Sequence, residues 1–166
     1  MEINTINKFD NEEFEDLKGL DVMEVPGLGF YKQKIIETLP NAKLIIVFVD
    51  SNEKQNIALA SEYLYDILNN ENFDDMINII VACNKQDLKF SKNKKLIESE
   101  MSNEIENIKQ IKQKNNLDDS STLGTLFNMK TKFKFDLFKN VHFVDTDKNS
   151  KYEFLIEKIR ELINLK

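Results

Sequence analysis

Cysteine, histidine and long apolar stretches are all scarce in this chain of 166 residues, and each scarcity removes a class of function. Cys83 is the only cysteine and lies in an apolar run, which excludes a disulfide framework and a cysteine-based metal cluster and fits a reducing, cytosolic environment. His142 is the only histidine; it stands in the short run 141–144 and reads as a wall residue without a catalytic role. No apolar run approaches the ~18–20 residues that span a bilayer, and the acidic N-terminus is no signal peptide. A basic excess is missing too: Lys and Arg number 23 against 29 Asp and Glu, a net charge of -6, with no polybasic footprint for general nucleic-acid binding. The most consequential absence is that no G-x-x-x-x-G-K-[ST] occurs. Without that glycine-rich turn and its Lys, nothing evident cradles the α and β phosphates of a nucleotide, and the Ser/Thr ligand for Mg²⁺ is missing as well.

What is present is an alternation of strand and helix patterns. The length fits one domain, 1–166, large enough to bury a sizeable core. β-branched apolar runs recur at 20–25, 44–49, 77–83 and 141–144. Between and after them, 53–68, 95–112 and 151–165 carry apolar residues at helical period: Ile57, Ala60, Leu64 and Leu68 in the first, Ile97, Met101, Ile105 and Ile108 in the second, Leu155, Ile159 and Leu162 in the third. Strands alternating with helices predict parallel βαβ units. Residues 115–136 are polar and read as a long insertion, in which Lys132-Phe133-Lys134-Phe135 alternates like an edge strand. The abundant Asn and Lys read as compositional bias on a solvated surface.

The most informative stretch is 77–87, where Ile79-Ile80-Val81-Ala82-Cys83 feeds into Asn84-Lys85-Gln86-Asp87. A strand buried on both faces is continuously apolar, and α/β folds place ligand sites beyond the carboxyl ends of such strands. Asn84, Lys85 and Asp87 match the guanine-reading signature of GTP-binding proteins. A carboxylate at Asp87 accepts two parallel hydrogen bonds from guanine's N1 and exocyclic amine, a pair adenine does not offer. Asn84 and Asp87 also suit a plain turn followed by a helix N-cap.

Two further turns bear on the same chemistry. The first apolar run leads into Glu24-Val25-Pro26-Gly27, where P-loop GTPases usually carry Asp-x-x-Gly. In that motif the Asp helps hold Mg²⁺ and the Gly amide meets the γ-phosphate. Glu24 is longer by one methylene, which weakens a role at a small, geometrically strict ion. The last run leads into Val144-Asp145-Thr146-Asp147-Lys148, where a Ser-Ala-Lys turn normally offers backbone N–H groups to the guanine O6. Backbone donors survive most side-chain changes, so Asp147 and Lys148 are candidates to line the base pocket.

The strings Ile46-Val47-Phe48-Val49-Asp50-Ser51, Glu62-Tyr63-Leu64-Tyr65-Asp66-Ile67-Leu68 and Ala82-Cys83-Asn84-Lys85-Gln86-Asp87, in this order, resemble the signal recognition particle receptor beta subunit family. Leu123-Gly124, Phe133-Lys134-Phe135-Asp136 and the run 141–144 resemble its final third. The resemblance covers roughly 20–165 and matches 1–19 poorly. It implies a P-loop GTPase-like parallel sheet with helices on both faces, here incomplete at the N-terminus, with the first strand and phosphate loop absent. It further implies a small, Arf-related GTPase that binds GTP with Mg²⁺ weak or absent. Such a switch holds the receptor alpha subunit at the cytosolic face of the endoplasmic reticulum membrane, reaches ribosome and translocon indirectly, and uses an N-terminal anchor lacking here. On that resemblance Asn84, Lys85, Asp87, Gly27, Asp147 and Lys148 bind nucleotide and Glu24 faces the metal. No residue is assigned to catalysis, because Leu28 follows Gly27 where a water-positioning group belongs.

In GTPases of this type the missing strand lies between those corresponding to 20–25 and 44–49, so its neighbours would stand about 10 Å apart instead of about 4.8 Å. Residues 3–9 are too polar to fill a central slot, and the expectation is a chain lacking its upstream part. Three other readings stay open: a nucleotide-free G-domain scaffold, another Ras-like or Arf-like GTPase, and a receiver-like domain with Asp50 as phosphoacceptor beside Lys85. The last lacks the paired acids its metal site needs.

Overall fold

A computed structural model describes residues 5–6, 20–27, 31–74, 76–115, 126, 130–149 and 152–163. Its strands are β1 (Thr5–Ile6), β2 (Val22–Met23), β3 (Leu44–Asp50), β4 (Asn78–Asn84) and β5 (Val141–Asp145). Its α-helices are α1 (Lys32–Thr38), α2 (Lys54–Leu68), α3 (Lys94–Asn115) and α4 (Glu153–Leu162). Helix α1 carries no strong period and was not expected from the sequence; Ile35 and Ile36 lean on the core from it. Leu28 and most of the 115–136 insertion, Gly124 included, lie outside the described residues.

The parallel sheet runs in the order β3-β4-β5. Ile79, Ile80, Val81, Ala82 and Cys83 of β4 have no exposed surface at all. Their alternation divides the core. Ile79, Val81 and Cys83 join Val49, α2, α3 and the aromatics Phe133 and Phe135 on one face. Ile80 and Ala82 join Val144 and Leu155 on the other, with Ile159 and Leu162 of α4 beside them. Register carries the pattern across: Val81 lies between Val47 and Phe143, and Ile80 between Ile46 and His142. Helices on both faces of a parallel sheet make this a mixed α/β fold, as expected from the sequence. At the end of the sheet Phe48 remains 57% exposed. Its face of β3 carries little cover.

The run 20–25 is a correction. It supplies no strand to the parallel sheet; Val22 and Met23 pair antiparallel with Ile6 and Thr5 in a separate two-stranded ladder. Asp21 and Glu24 interrupt the run 20–25, and a central parallel strand buried on both faces would strand such side chains. No helix among the described residues is long and apolar enough to cross a membrane.

The predicted edge strand at 132–135 is also corrected. The alternation is real, since Phe133 and Phe135 are buried while Lys132 and Lys134 are exposed. Yet the backbone meets α3 side chains instead of a strand. Phe133 N–H donates to Glu106 Oε2 at 2.7 Å, and Lys109 Nζ donates to the Thr131 carbonyl at 2.8 Å. Glu106 and Lys109 are themselves paired at 2.8 Å and almost fully buried. Edge-to-face packing of Phe133 on Phe135 and of Phe135 on Phe143 completes the strap.

Burial alone would raise the Glu106 pKa, but hydrogen bonds from Lys109, the Phe133 N–H and Gln110 outweigh it and hold the carboxyl below its ordinary value. A depressed folded pKa contributes stability that is complete above the unfolded value and lost as pH falls through the folded one. Glu106→Ala should cost about 3–5 kcal/mol at neutral pH, since it leaves the Lys109 ammonium buried and uncompensated. In urea titrations that penalty should shrink as the pH is lowered through the carboxylate range; a penalty independent of pH would contradict the ion-pair account.

Candidate functional site

Strands β3, β4 and β5 end in register. Asp50 pairs with Asn84, and Cys83 with Asp145, so three loops leave one edge of the sheet together. Backbone hydrogen bonds continue past the strands: Ser51 N–H donates to the Asn84 carbonyl at 3.0 Å, Thr146 N–H to the Cys83 carbonyl at 2.9 Å, and Gln86 N–H to the Thr146 carbonyl at 3.2 Å. The crevice outside the carboxyl ends of parallel strands is where open α/β sheets bind ligands.

Lys85 turns the chain out of β4 with φ 65°, a left-handed conformation that a non-glycine residue adopts at a cost of about 1 kcal/mol or more. Its Nζ donates to Asp50 Oδ2 in a short ion pair, and Asp50 Oδ1 accepts the Asn52 N–H at 3.0 Å. Burial would raise the Asp50 pKa; the bonds from Lys85 and Asn52 and the Lys85 charge overcome it and keep the carboxylate ionised. The Lys85 pKa is raised in turn by its hydrogen bond to Asp50 and by that residue's charge.

Gln86 points inward and ties the loops together. Its Nε2 lies 2.9 Å from Ser51 Oγ, 2.8 Å from the Lys92 carbonyl and 3.3 Å from the Cys83 carbonyl. An amide nitrogen has two hydrogens, so one of these three contacts is shared. The Lys92 N–H returns to the Ser51 carbonyl at 3.0 Å. Asn84 Oδ1 accepts from Thr146 Oγ1 at 3.2 Å, which fastens the β5 loop to the β4 loop. The N-terminus of α3 is fixed by two side chains: Asp145 Oδ1 accepts the Lys94 N–H at 2.9 Å, and Asn93 Oδ1 accepts the Leu96 N–H at 3.0 Å.

Asp87 stands on this framework with its side chain only 14% exposed, and Lys148 Nζ approaches its Oδ2 at 3.4 Å. Asp147 accepts the Asn149 N–H at 2.6 Å and shapes the turn that carries Lys148. Asn84, Lys85, Asp87, Asp147 and Lys148 are thus brought to one edge. Glu24 and Gly27 follow β2, which pairs with β1 and not with the parallel sheet, and both are exposed. A Cβ added at Gly27 would meet nothing within 4 Å. Among the described residues no group of three His, Cys, Asp or Glu side chains is gathered to hold a metal ion. The receiver-like reading needs further acids beside Asp50, and among the described residues Asp50 has Lys85 and the Asn52 N–H as its partners.

Sequence reasoning passed over Thr146, Gln86 and Ser51. Thr146 carried a signal, a hydroxyl heading the turn where a Ser-Ala-Lys sequence belongs. Gln86 occupies the variable position of the guanine motif, so no pattern could single it out. His142 is half-buried; burial and the Lys158 charge lower its pKa against Glu161, which keeps it neutral at pH 7.

A family model described as signal recognition particle receptor beta subunit matches residues 2–141. The signal recognition particle receptor subunit beta of Dictyostelium discoideum is 30% identical over 98 residues, which are 58% of this chain and 34% of that one. The chain spans about a third to somewhat under half of the length of the curated relatives it matches. A structure of the mammalian SRP receptor aligns with 97% of this chain and 81% of its own at TM-score 0.69 and 19% identity. The SRb–GDP structure from Chaetomium thermophilum covers 82% of this chain and 78% of its own at TM-score 0.63 and 20% identity. An SRb–GTP/SRX complex from the same organism covers 77% and 55% at TM-score 0.52 and 20% identity. These structural likenesses establish the fold.

Two outcomes test the framework. Gln86→Leu should destabilise the chain by about 1–3 kcal/mol, because the Ser51 hydroxyl and the Lys92 carbonyl lose the Gln86 donor while the Cys83 carbonyl keeps only the Thr146 N–H; amide exchange at Lys92 should rise first. Burial, reinforced by the Asp145 charge, pushes the Cys83 thiol up to about 12. Alkylation by iodoacetamide at neutral pH should therefore track unfolding; rapid labelling of the native chain would contradict that environment.

Proposed function

The chain belongs to the signal recognition particle receptor beta subunit family, and from that premise we propose that it is a guanine-nucleotide-binding switch that holds the receptor alpha subunit at the endoplasmic reticulum membrane for co-translational targeting. The observation that carries the nucleotide reading is the Asp87 carboxylate, standing at the carboxyl edge of the sheet and presented by loops that Asn84, Thr146 and Gln86 lock in place. It has the geometry and charge to accept guanine's N1–H and amine. Asn84 orients the pocket loop, Lys85 flanks the base, and the turn at Asp147 and Lys148 faces its O6 side. Gly27 is proposed to meet the γ-phosphate. Glu24 is proposed as a ligand to Mg²⁺ held chiefly by nucleotide phosphates, an arrangement in which one or two protein carboxylates suffice. The ion would supply charge neutralisation of those phosphates.

The SRb–GTP/SRX complex among the related structures fits an alpha-subunit partner for this chain. Membrane placement rests on the family alone. No residue here is assigned to hydrolysis, and positioning with charge stabilisation supplies most of the rate in phosphoryl transfer. The chain is a binding switch before it is an enzyme. One observation favours the scaffold alternative: Glu24 and Gly27 leave a ladder that does not pair with the parallel sheet. Pull-down of the alpha subunit with and without guanine nucleotide separates the two, since a scaffold binds equally in both.

Base specificity offers the sharper test. Asp87→Asn replaces an acceptor with an amide donor that matches the 2-carbonyl of xanthine in place of guanine's amine. The variant should lose guanine preference by about 10-fold or more and gain affinity for xanthosine diphosphate, since a site built to hydrogen-bond one group rejects its mismatch strongly. Unchanged discrimination between guanine, adenine and xanthine nucleotides would remove Asp87 from the site.

A further inference from the structure

Four of the site's charged side chains form two ion pairs of unequal hold. Lys85 is tied to an Asp50 carboxylate whose side chain is 14% exposed and whose other oxygen takes the Asn52 N–H. That pair joins two strand ends and fixes geometry. Lys148 is different. Its side chain is 77% exposed, it sits on the flexible stem that all lysines have, and its only ion-pair partner among the described residues is Asp87 at 3.4 Å. The loosely held cation thus rests on the carboxylate that reads the base. Guanine's N1–H and amine would take one lone pair on each of the same oxygens, so an ammonium drawn to Oδ2 competes with the base for that oxygen.

Resting on the guanine-site reading above, we propose that Lys148 is a displaceable counter-ion cap on Asp87. It occupies the base-reading carboxylate in the empty site and competes with guanine. The neighbouring geometry assists the exchange. Thr146 anchors the turn to Asn84 and Asp147 closes on the Asn149 N–H, so the backbone stays in place while the Lys148 side chain swings away. The cap neutralises Asp87 between binding events and lowers guanine affinity. It also makes that affinity respond to ionic strength, because an exposed pair is screened by salt.

The test uses the whole chain and an uncharged probe, guanosine, with adenosine as reference, so that phosphate contacts do not contribute to the salt response. Lys148→Met keeps most of the stem and removes the charge. Affinities are measured by NMR titration at low and at high salt, with Asp87→Asn as the control for base reading. The expected result is guanosine affinity about two- to five-fold higher in Lys148→Met than in the parent at low salt, the range an exposed ion pair allows. That gap should close at high salt through a rise in the parent's affinity. Equal affinities, or weaker binding in Lys148→Met, with guanosine still preferred over adenosine, would overturn the cap while leaving the guanine site standing. No preference for guanosine in either protein would instead overturn the site reading, and the cap with it.

Discussion

The full burial of β4 is the constraint on which the rest of the structure depends. Five consecutive side chains without exposed surface must be covered on both faces, and a parallel neighbour on each side must satisfy their backbone groups. That requirement places α2 and α3 on one face and α4 on the other. It also brings the ends of β3 and β5 level with Asn84. The polar loops of the site emerge together because the apolar run stops there. Each hydrogen bond between them, from Ser51 to Asn84 or from Thr146 to Cys83, extends the sheet's own ladder by one step. Fold and site share one origin.

Much of this was legible in residue order. The runs at 44–49, 77–83 and 141–144 are the observed sheet, and the three long helical periods correspond to α2, α3 and α4 within a few residues. These elements carry strong signals, a two-sided apolar run or a sustained 3.6 period, which tertiary context reinforces. Asn84, Lys85, Asp87, Asp147 and Lys148 lie together as their positions after strands implied. What sequence did not show was decided by partners distant in the chain. The 132–135 alternation is as good a strand pattern as any, yet the buried Glu106–Lys109 pair, 22 or more residues upstream of its backbone partners Thr131 and Phe133, takes those hydrogen bonds. The run 20–25 has strand composition but pairs with β1 outside the parallel sheet. Composition states what a segment favours, and only the neighbours decide where it is satisfied. The inward turn of Gln86 is likewise a property of three loops at once.

Two ion pairs lie where the parallel strands end. Asp50 pairs with Lys85 and Asp87 with Lys148, while Asp145 and Asp147 turn their carboxylates to the backbone N–H groups of Lys94 and Asn149. The first pair is structural, since it joins strand ends beneath the loops. The second lies in the loops beyond the strands, with the Lys148 side chain exposed.

The central claim is that the loops after β4 and β5 form one guanine-reading pocket. The most direct measurement is a map of backbone amide shifts on adding GDP and, separately, ADP. The account predicts GDP-dependent shifts at 84–87 and 146–148, with smaller or no response to ADP. Shifts of equal size with both nucleotides, or perturbation confined to residues away from these two loops, would contradict it.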